Sequence, residues 1–240
     1  MSDPGFIHLR VHSAYSLLEG ALQIGKVLDL TRADEMPAVG IADTGNLFGA
    51  LEFSDKAQSK GIQPIIGCQM AVDFDDFEAD PRARDARNRQ DAGFGNVVLL
   101  AMTETGFLNL SKLVSRSFLD TDASTRSHTH VTLLQELSAG LICLSGGLEG
   151  AVDQLIVARE EARAATRLQT LSGIFGDRFY IEIQRHEHPN ERYTERFLVS
   201  YAYEHCIPLV ATNEVFFPDQ SDFDAHDALI SIAEGRMVAE

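Results

Sequence analysis

Seven short apolar runs, separated by stretches of helical periodicity, constrain this chain more than anything else in it. The runs are residues 6–12, 38–42, 64–72, 97–102, 141–144, 179–183 and 208–211. Most are continuous rather than alternating, as strands covered on both faces require. Between them, residues 22–33, 47–59, 107–119, 148–171, 190–205 and 223–233 read as helices. In the fifth, Tyr193, Phe197, Tyr201 and His205 fall four apart on one stripe, with Asn190 as the expected N-cap. In the fourth, Leu148, Val152, Leu155 and Ile156 make an apolar face, leaving Arg159, Glu160 and Glu161 to water. Strand and helix in alternation predict an α/β chain with a parallel sheet. At 240 residues the length suits a single β/α barrel, and one domain over residues 1–240 is expected.

Residues 73–96 and 120–130 are polar and read as surface loops. The second contains His128 and His130, an H-x-H without an obvious third ligand nearby, so solvation is the simpler reading. Cys68, Cys143 and Cys206 are widely spaced within or beside apolar runs and read as buried thiols of a reducing compartment. No run of eighteen apolar residues and no secretory leader is visible, so a soluble, cytoplasmic chain without membrane contact is expected. With 36 acidic against 20 basic residues the formal charge is −16, which opposes tight binding of a phosphate backbone by this segment alone. The end at Arg236-Met237-Val238-Ala239-Glu240 has no compositional stop, and a fragment of a longer polypeptide is expected.

In a β/α barrel, chemistry sits at the C-terminal ends of the strands. The first run, as a strand, places His8, Arg10 and His12 on one face and Leu9 and Val11 on the other. Two imidazoles beside a carboxylate such as Glu19 suit a divalent ion, but Arg10 has no lone pair to give and repels a cation. Asp43 and Thr44 follow the second run, where Asp43 either shapes the turn into the next helix or is a functional carboxylate. Cys68 and Gln69 lie on the third run, and Asn213 and Glu214 follow the last, with His226 beyond them. Ser145-Gly146-Gly147 could cradle an anion, but a tight turn explains it as well. No dinucleotide-binding glycine motif, P-loop or nucleophile elbow is present.

Several of these segments, in this order, resemble the N-terminal PHP (polymerase and histidinol phosphatase) domain of bacterial DNA polymerase III alpha subunits. They are His8-Leu9-Arg10-Val11-His12-Ser13, Ala42-Asp43-Thr44-Gly45-Asn46-Leu47-Phe48-Gly49, Pro64-Ile65-Ile66-Gly67, Leu99-Leu100-Ala101, Leu144-Ser145-Gly146-Gly147 and Val210-Ala211-Thr212-Asn213-Glu214. The resemblance covers essentially the whole chain and implies a distorted, seven-stranded, TIM-like (β/α)7 barrel. It also implies a vestigial metal site. Where metal-binding members carry H-x-H, this chain has Arg10 and His12. An Asp-His pair becomes Asp43 and Thr44, a Glu becomes Gln69, a His becomes Asn96, a Cys becomes Gly147, and a terminal Asp-x-His becomes Glu214 and Phe216. His12, Glu19, Asp43 and Glu214 are the main ligand-capable side chains left, so no bound metal, cofactor or catalytic residue is expected in this domain. Arg10, paired with Asp43 or Glu214, would stand in for the lost cation. The implied partners are the proofreading exonuclease (epsilon) subunit and the remaining domains of the alpha subunit, with DNA and the sliding clamp met through the full-length protein. The rival expectation is an active metal-dependent phosphoesterase or pyrophosphatase.

Overall fold

The computed structural model describes residues 5–76 and 93–237. Its contacts divide the chain into two compact units, Met1–Cys68 with Thr212–Glu240, and Gln69–Ala211.

The first unit holds α1 (Ile24–Ala33), β1 (Ala38–Thr44), α2 (Ala50–Ser59), the start of β2 (Gln63–Asp73) and α8 (Phe223–Glu234). Helix α1 turns Ile24, Val27, Leu28 and Thr31 inward, the spacing of one helical stripe, onto Val39 and Ile41 of β1 and Phe53 of α2. The helix expected from residue 47 begins at Ala50. Asn46 Oδ1 accepts the Phe48 amide at 3.1 Å, and this side-chain turn competes with helical pairing.

The first apolar run is not a strand. Only Val11 and Ser13 make bridges, Val11 to Ile41 and to Val215, both parallel. Its backbone bonds are divided between two neighbours. Val11 N donates to Gly40 O at 3.2 Å and His12 N to Val215 O at 2.8 Å. Gly40 is needed there, because a Cβ would lie 2.7 Å from Leu9 O. The alternating face also fails at His8. Arg10 and His12 are fully buried, whereas His8 borders a cleft with Leu22, Val27 and Asp34, where burial lowers its imidazole below the ordinary range.

The second unit contains the rest of β2, then β3 (Phe94–Ala101), α3 (Glu104–Leu119), β4 (Thr129–His130), α4 (Val131–Glu136), β5 (Leu141–Leu144), α5 (Asp153–Val157), α6 (Glu161–Phe175), β6 (Phe179–Ile183), α7 (Glu191–His205) and β7 (Leu209–Ala211). Strands β5, β6 and β7 run parallel, and β4 lies parallel to β2, with Val72 opposite Thr129. The wholly parallel expectation fails at β3 and β5, which are antiparallel with Val98 opposite Leu144. Their connection carries α3, β4 and α4 instead of one crossover helix, so the geometry that makes neighbours parallel does not apply. β4 also interrupts the loop expected at 120–130, and β3 takes residues 94–96 from the loop expected at 73–96. Residues 77–92 of that loop lie outside the described residues.

The long helix expected at 148–171 is a short 3-10 turn (Gly147–Glu149) followed by α5 and α6. Gly150 is extended, and a Cβ there would sit 2.4 Å from Ser145 O; Arg159, at φ 66°, ends α5. Arg167 of α6 is buried. Its guanidinium binds Asp76 (Nε at 2.7 Å, Nη2 at 2.8 Å), Ala151 O and Gly93 O, and lies 4.5 Å from the Phe74 ring centroid. A buried cation so fully partnered holds the chain on either side of residues 77–92 against one helix. At α7, Asn190 makes no capping bond. The Glu191 carboxylate instead accepts the amides of His186 and His188. The buried stripe is Thr194, Leu198 and Ala202, while Tyr193 and Tyr201 stack on Arg159 and His205 at a more open face.

Two cysteines are core residues and the third is not. Burial, reinforced by the Asp43 carboxylate, pushes the Cys68 thiol up to about 12, and burial also raises Cys143. Cys206 is exposed, at the C-terminal end of α7, with φ 55°. Iodoacetamide at mildly alkaline pH is therefore expected to alkylate Cys206 alone in the native protein and all three thiols in urea, as counted by mass spectrometry. No helix among the described residues is long and apolar enough to cross a membrane.

Candidate functional site

In the first unit, the end of β1 presents Asp43, 1% exposed, to the turn that follows the first run. Asp43 accepts three hydrogen bonds, from Ser13 N at 2.7 Å, Ser13 Oγ at 2.8 Å and Ser16 Oγ at 2.7 Å. It therefore shapes a turn, but the turn of residues 13–20 rather than the entry to α2. Thr44 closes the other side: its amide donates to Ser16 Oγ at 3.2 Å and its hydroxyl to Glu19 Oε2 at 2.6 Å. His226, on α8, donates Nε2–H to Glu19 O at 2.8 Å.

Arg10, His12 and Glu214 meet beside this turn. Arg10 Nη2 donates to Glu214 Oε1 at 2.6 Å, and His12 Nε2 lies 3.2 Å from the same oxygen without hydrogen-bond geometry. On the other side of the ring, Nδ1 is 3.3 Å from Ser16 Oγ and 3.4 Å from Thr44 Oγ1. Both hydroxyls already direct their hydrogens to carboxylates, so Nδ1 must carry the hydrogen in these contacts. Phe216 stacks on His12 with ring centroids 4.4 Å apart and 16° between planes. Arg10 thus pairs with Glu214, while Asp43 is filled by serines. Tyr15 flanks the turn, and its hydrogen bond to Glu52 raises its hydroxyl above the ordinary value.

The other expected site residues belong to the second unit. Gln69 is buried on β2 and Asn96 on β3, where Asn96 Oδ1 accepts from Arg126 Nη2 at 2.8 Å. Gly147 has φ 63°, and a Cβ there would meet Gln184 Oε1 at 2.2 Å. The Ser145-Gly146-Gly147 stretch is a tight turn whose Gly146 amide donates to the buried Glu182 at 3.0 Å. Gly147→Ala, and more so Gly147→Cys, is expected to destabilise the protein by about 1–3 kcal/mol, read as a lower urea midpoint. His128 stacks on Phe94 at 4.1 Å with Nδ1 on Arg126 O, and His130 caps α4 through the Thr132 amide. Among the described residues, no group of three or more His, Cys, Asp or Glu is placed to hold a metal ion.

Sequence reasoning missed Ser13 and Ser16, whose hydroxyls fill Asp43, Arg126 as the partner of Asn96, and Gln184 beside Gly147. Serines three apart in a polar turn are too common a pattern to mark a carboxylate 27 to 30 residues downstream.

This order of strands and helices is that of an α/β domain. The chain belongs to the PHP domain family, whose model matches residues 8–186. Among curated relatives it resembles DNA polymerase III subunit alpha of Caulobacter vibrioides, 45% identical over 243 residues, covering 100% of this chain and 21% of the relative. The same subunit of Rickettsia conorii is 42% identical, covering 97% of this chain and 18% of the relative. That of Thermus aquaticus is 36% identical, covering 95% and 18%. The chain thus spans about a fifth of the length of these relatives. A solved amidohydrolase structure from Chromobacterium violaceum matches with a TM-score of 0.54 and 13% identity, over 89% of this chain and 88% of that one. That likeness concerns the fold alone, which is the distorted β/α-barrel class implied by the sequence.

Proposed function

We propose that residues 1–240 act as one N-terminal PHP domain of a bacterial replicative DNA polymerase, the DNA polymerase III alpha subunit, with a structural and protein-binding role in place of hydrolysis. Similarity to alpha subunits at 36–45% identity supports the family half of this reading. The observation that carries the rest is the Arg10 guanidinium on Glu214 at 2.6 Å. A divalent ion about 4 Å from that fixed cation would meet about 8 kcal/mol of repulsion at an effective dielectric near 20. A complete ligand set at a structural zinc site yields only about 10–16 kcal/mol. The remaining donors fit a metal poorly: Asp43 holds three hydrogen bonds, Glu19 holds Thr44, and His12 Nδ1 faces two hydroxyls. Thr44, Gln69, Asn96, Gly147 and Phe216 stand where the resemblance puts ligands, and none brings an imidazole, carboxylate or thiolate.

In this reading the domain supports the rest of the alpha subunit in the cytoplasm and docks the proofreading exonuclease (epsilon) subunit. Template DNA and the sliding clamp are met by later parts of the polypeptide. The formal charge of −16 supports that division, because it repels a phosphate backbone. One observation favours the phosphoesterase reading instead: His12 Nε2 is buried, lacks a hydrogen bond and lies 3.2 Å from a carboxylate oxygen, as ligands sharing an ion would. Manganese or zinc titration of the wild type beside Arg10→His separates the two, with phosphate release measured alongside. Arg10→His is expected to bind at least about tenfold tighter, a gain of ~1.4 kcal/mol or more. Stoichiometric, tight binding by the wild type, or metal-dependent phosphate release, overturns the structural role.

A further inference from the structure

We propose that the outer face of α7 is a docking surface for an acidic polypeptide helix, held through Arg192 and Arg196. These arginines, Val199 and Tyr203 stand at i, i+4, i+7 and i+11, one stripe about 16 Å long on the helix. The stripe is turned away from Thr194, Leu198 and Ala202, which α7 buries. Both arginines are exposed, and Tyr203 is 78% exposed. Arg192, Arg196 and Val199 also line an open cavity of about 1280 Å³, together with Arg185, His188 and Pro189 of the segment leading into the helix. A small molecule fills about 300–1,000 Å³, so a concavity of this size suits a length of polymer.

Local pairing consumes most of the acids of this face and leaves its cations over. Glu191 is 5% exposed, and its carboxylate accepts the amides of His186 and His188. Glu195 accepts Nε and Nη2 of Arg185 at 3.2 and 2.6 Å, and that pairing is the main reason its carboxyl lies below the ordinary range. Arg192 adds only a smaller pull on the same carboxylate. Among the described residues, neither the Arg192 nor the Arg196 guanidinium has an ion-pair or hydrogen-bond partner. His188 Nδ1 accepts the Asn190 amide, which in the neutral ring leaves the hydrogen on Nε2. Of the three acids lining the cavity, Glu187 alone has no such partner among the described residues, against two spare guanidiniums.

The spacing says what these cations fit. Residues four apart on a helix have Cβ atoms about 5–6 Å apart, so two carboxylates one turn apart on a partner helix can each meet one guanidinium, in the bidentate geometry that arginine favours. Val199 and Tyr203 continue the stripe and suit apolar side chains from the same partner. Arginine and tyrosine are also the residues that most often anchor protein interfaces. A nucleic-acid strand fits less well, because it brings a phosphate with every nucleotide to a chain of formal charge −16, whereas a helix with two carboxylates brings little charge. The inference rests on the charges of this face and stands whether or not the chain is part of a polymerase.

The test uses the natural full-length protein, purified without partners, and fluorescein-labelled probes read by anisotropy at low salt. The first probe is an alanine-rich helical peptide with two glutamates four residues apart on a leucine-bearing face. The others are the same peptide with glutamine or lysine at those two positions, and oligo(dT). The glutamate peptide is expected to bind at least about tenfold tighter than the glutamine peptide, and to lose that advantage in high salt. Arg192→Glu with Arg196→Glu, two exposed positions, should weaken the glutamate peptide at least about tenfold and bind the lysine peptide in its place. Arg192→Gln with Arg196→Gln should abolish the preference without reversing it, and carries the test if the charge-reversed protein does not fold. Equal affinity for the glutamate and glutamine peptides, or no binding of either, overturns the proposal. So does an unchanged preference in the glutamine variant, and oligo(dT) bound more tightly than the glutamate peptide marks a nucleic-acid surface instead and overturns it as well.

Discussion

Arg10→Ala is expected to destabilise the protein by about 3–5 kcal/mol, the cost of breaking a buried ion pair from one side. Arg10 is fully buried, and its partner Glu214 is only 13% exposed. Removing the guanidinium takes away the donor 2.6 Å from Glu214 Oε1 and opens a cavity between the first run and the 212–217 segment. The pair itself need not be worth that much. Exchanging both partners for apolar residues, Arg10→Met with Glu214→Leu, is expected to cost clearly less than the sum of the two single changes, because neither charge is then stranded. Urea unfolding of the three variants near neutral pH measures both statements. A loss under about 1 kcal/mol for Arg10→Ala would show that Glu214 is served equally well by its other neighbours.

Asp43→Ala should be comparably damaging, about 3–5 kcal/mol, for a different reason. It strands three donors at once, each buried polar group costing about 1–3 kcal/mol when left unsatisfied. Asp43→Asn keeps one acceptor oxygen and should lie between alanine and the wild type. The damage should begin locally. Faster amide exchange is expected first at Ser16, Glu19 and Gly20, whose bonds define the turn, while the β3 and β5 amides keep their protection. Cys68 distinguishes local opening from unfolding, since burial is the first cause of its raised pKa and Asp43 only the second. If the turn alone loosens, Cys68 stays unalkylated.

These effects explain what could be read in the sequence. Where one stretch satisfied its own needs, the pattern was enough: residues 141–144 and 179–183 are β5 and β6 as expected, because continuous apolar runs between helical stretches have few other places to go. Where a distant residue decided the matter, the pattern misled. The run at 6–12 reads as a strand, yet its backbone bonds are divided between residue 40 and residue 215. The periodicity at 148–171 is genuine, with Val152, Leu155 and Ile156 buried, but the close approach of Gly150 to Ser145 prevents a continuous helix. Asn190 was a sound capping residue by type, and Glu191 took the loop amides instead. At the site, Arg10, His12, Asp43 and Glu214 were legible as chemistry. Which acid Arg10 would meet was not, because the serine hydroxyls that fill Asp43 carry no mark in the sequence.

The Val11 bridges bear on how the chain is made. Its neighbour on one side arrives about thirty residues later, but its neighbour on the other is Val215, more than two hundred residues downstream. At about 5–20 residues per second, a ribosome needs roughly 10 to 40 seconds to deliver that second neighbour. For that interval Arg10 and His12 have no Glu214, and residues 8–12 wait, half-zipped, for the stretch around residues 214–216 to close over them.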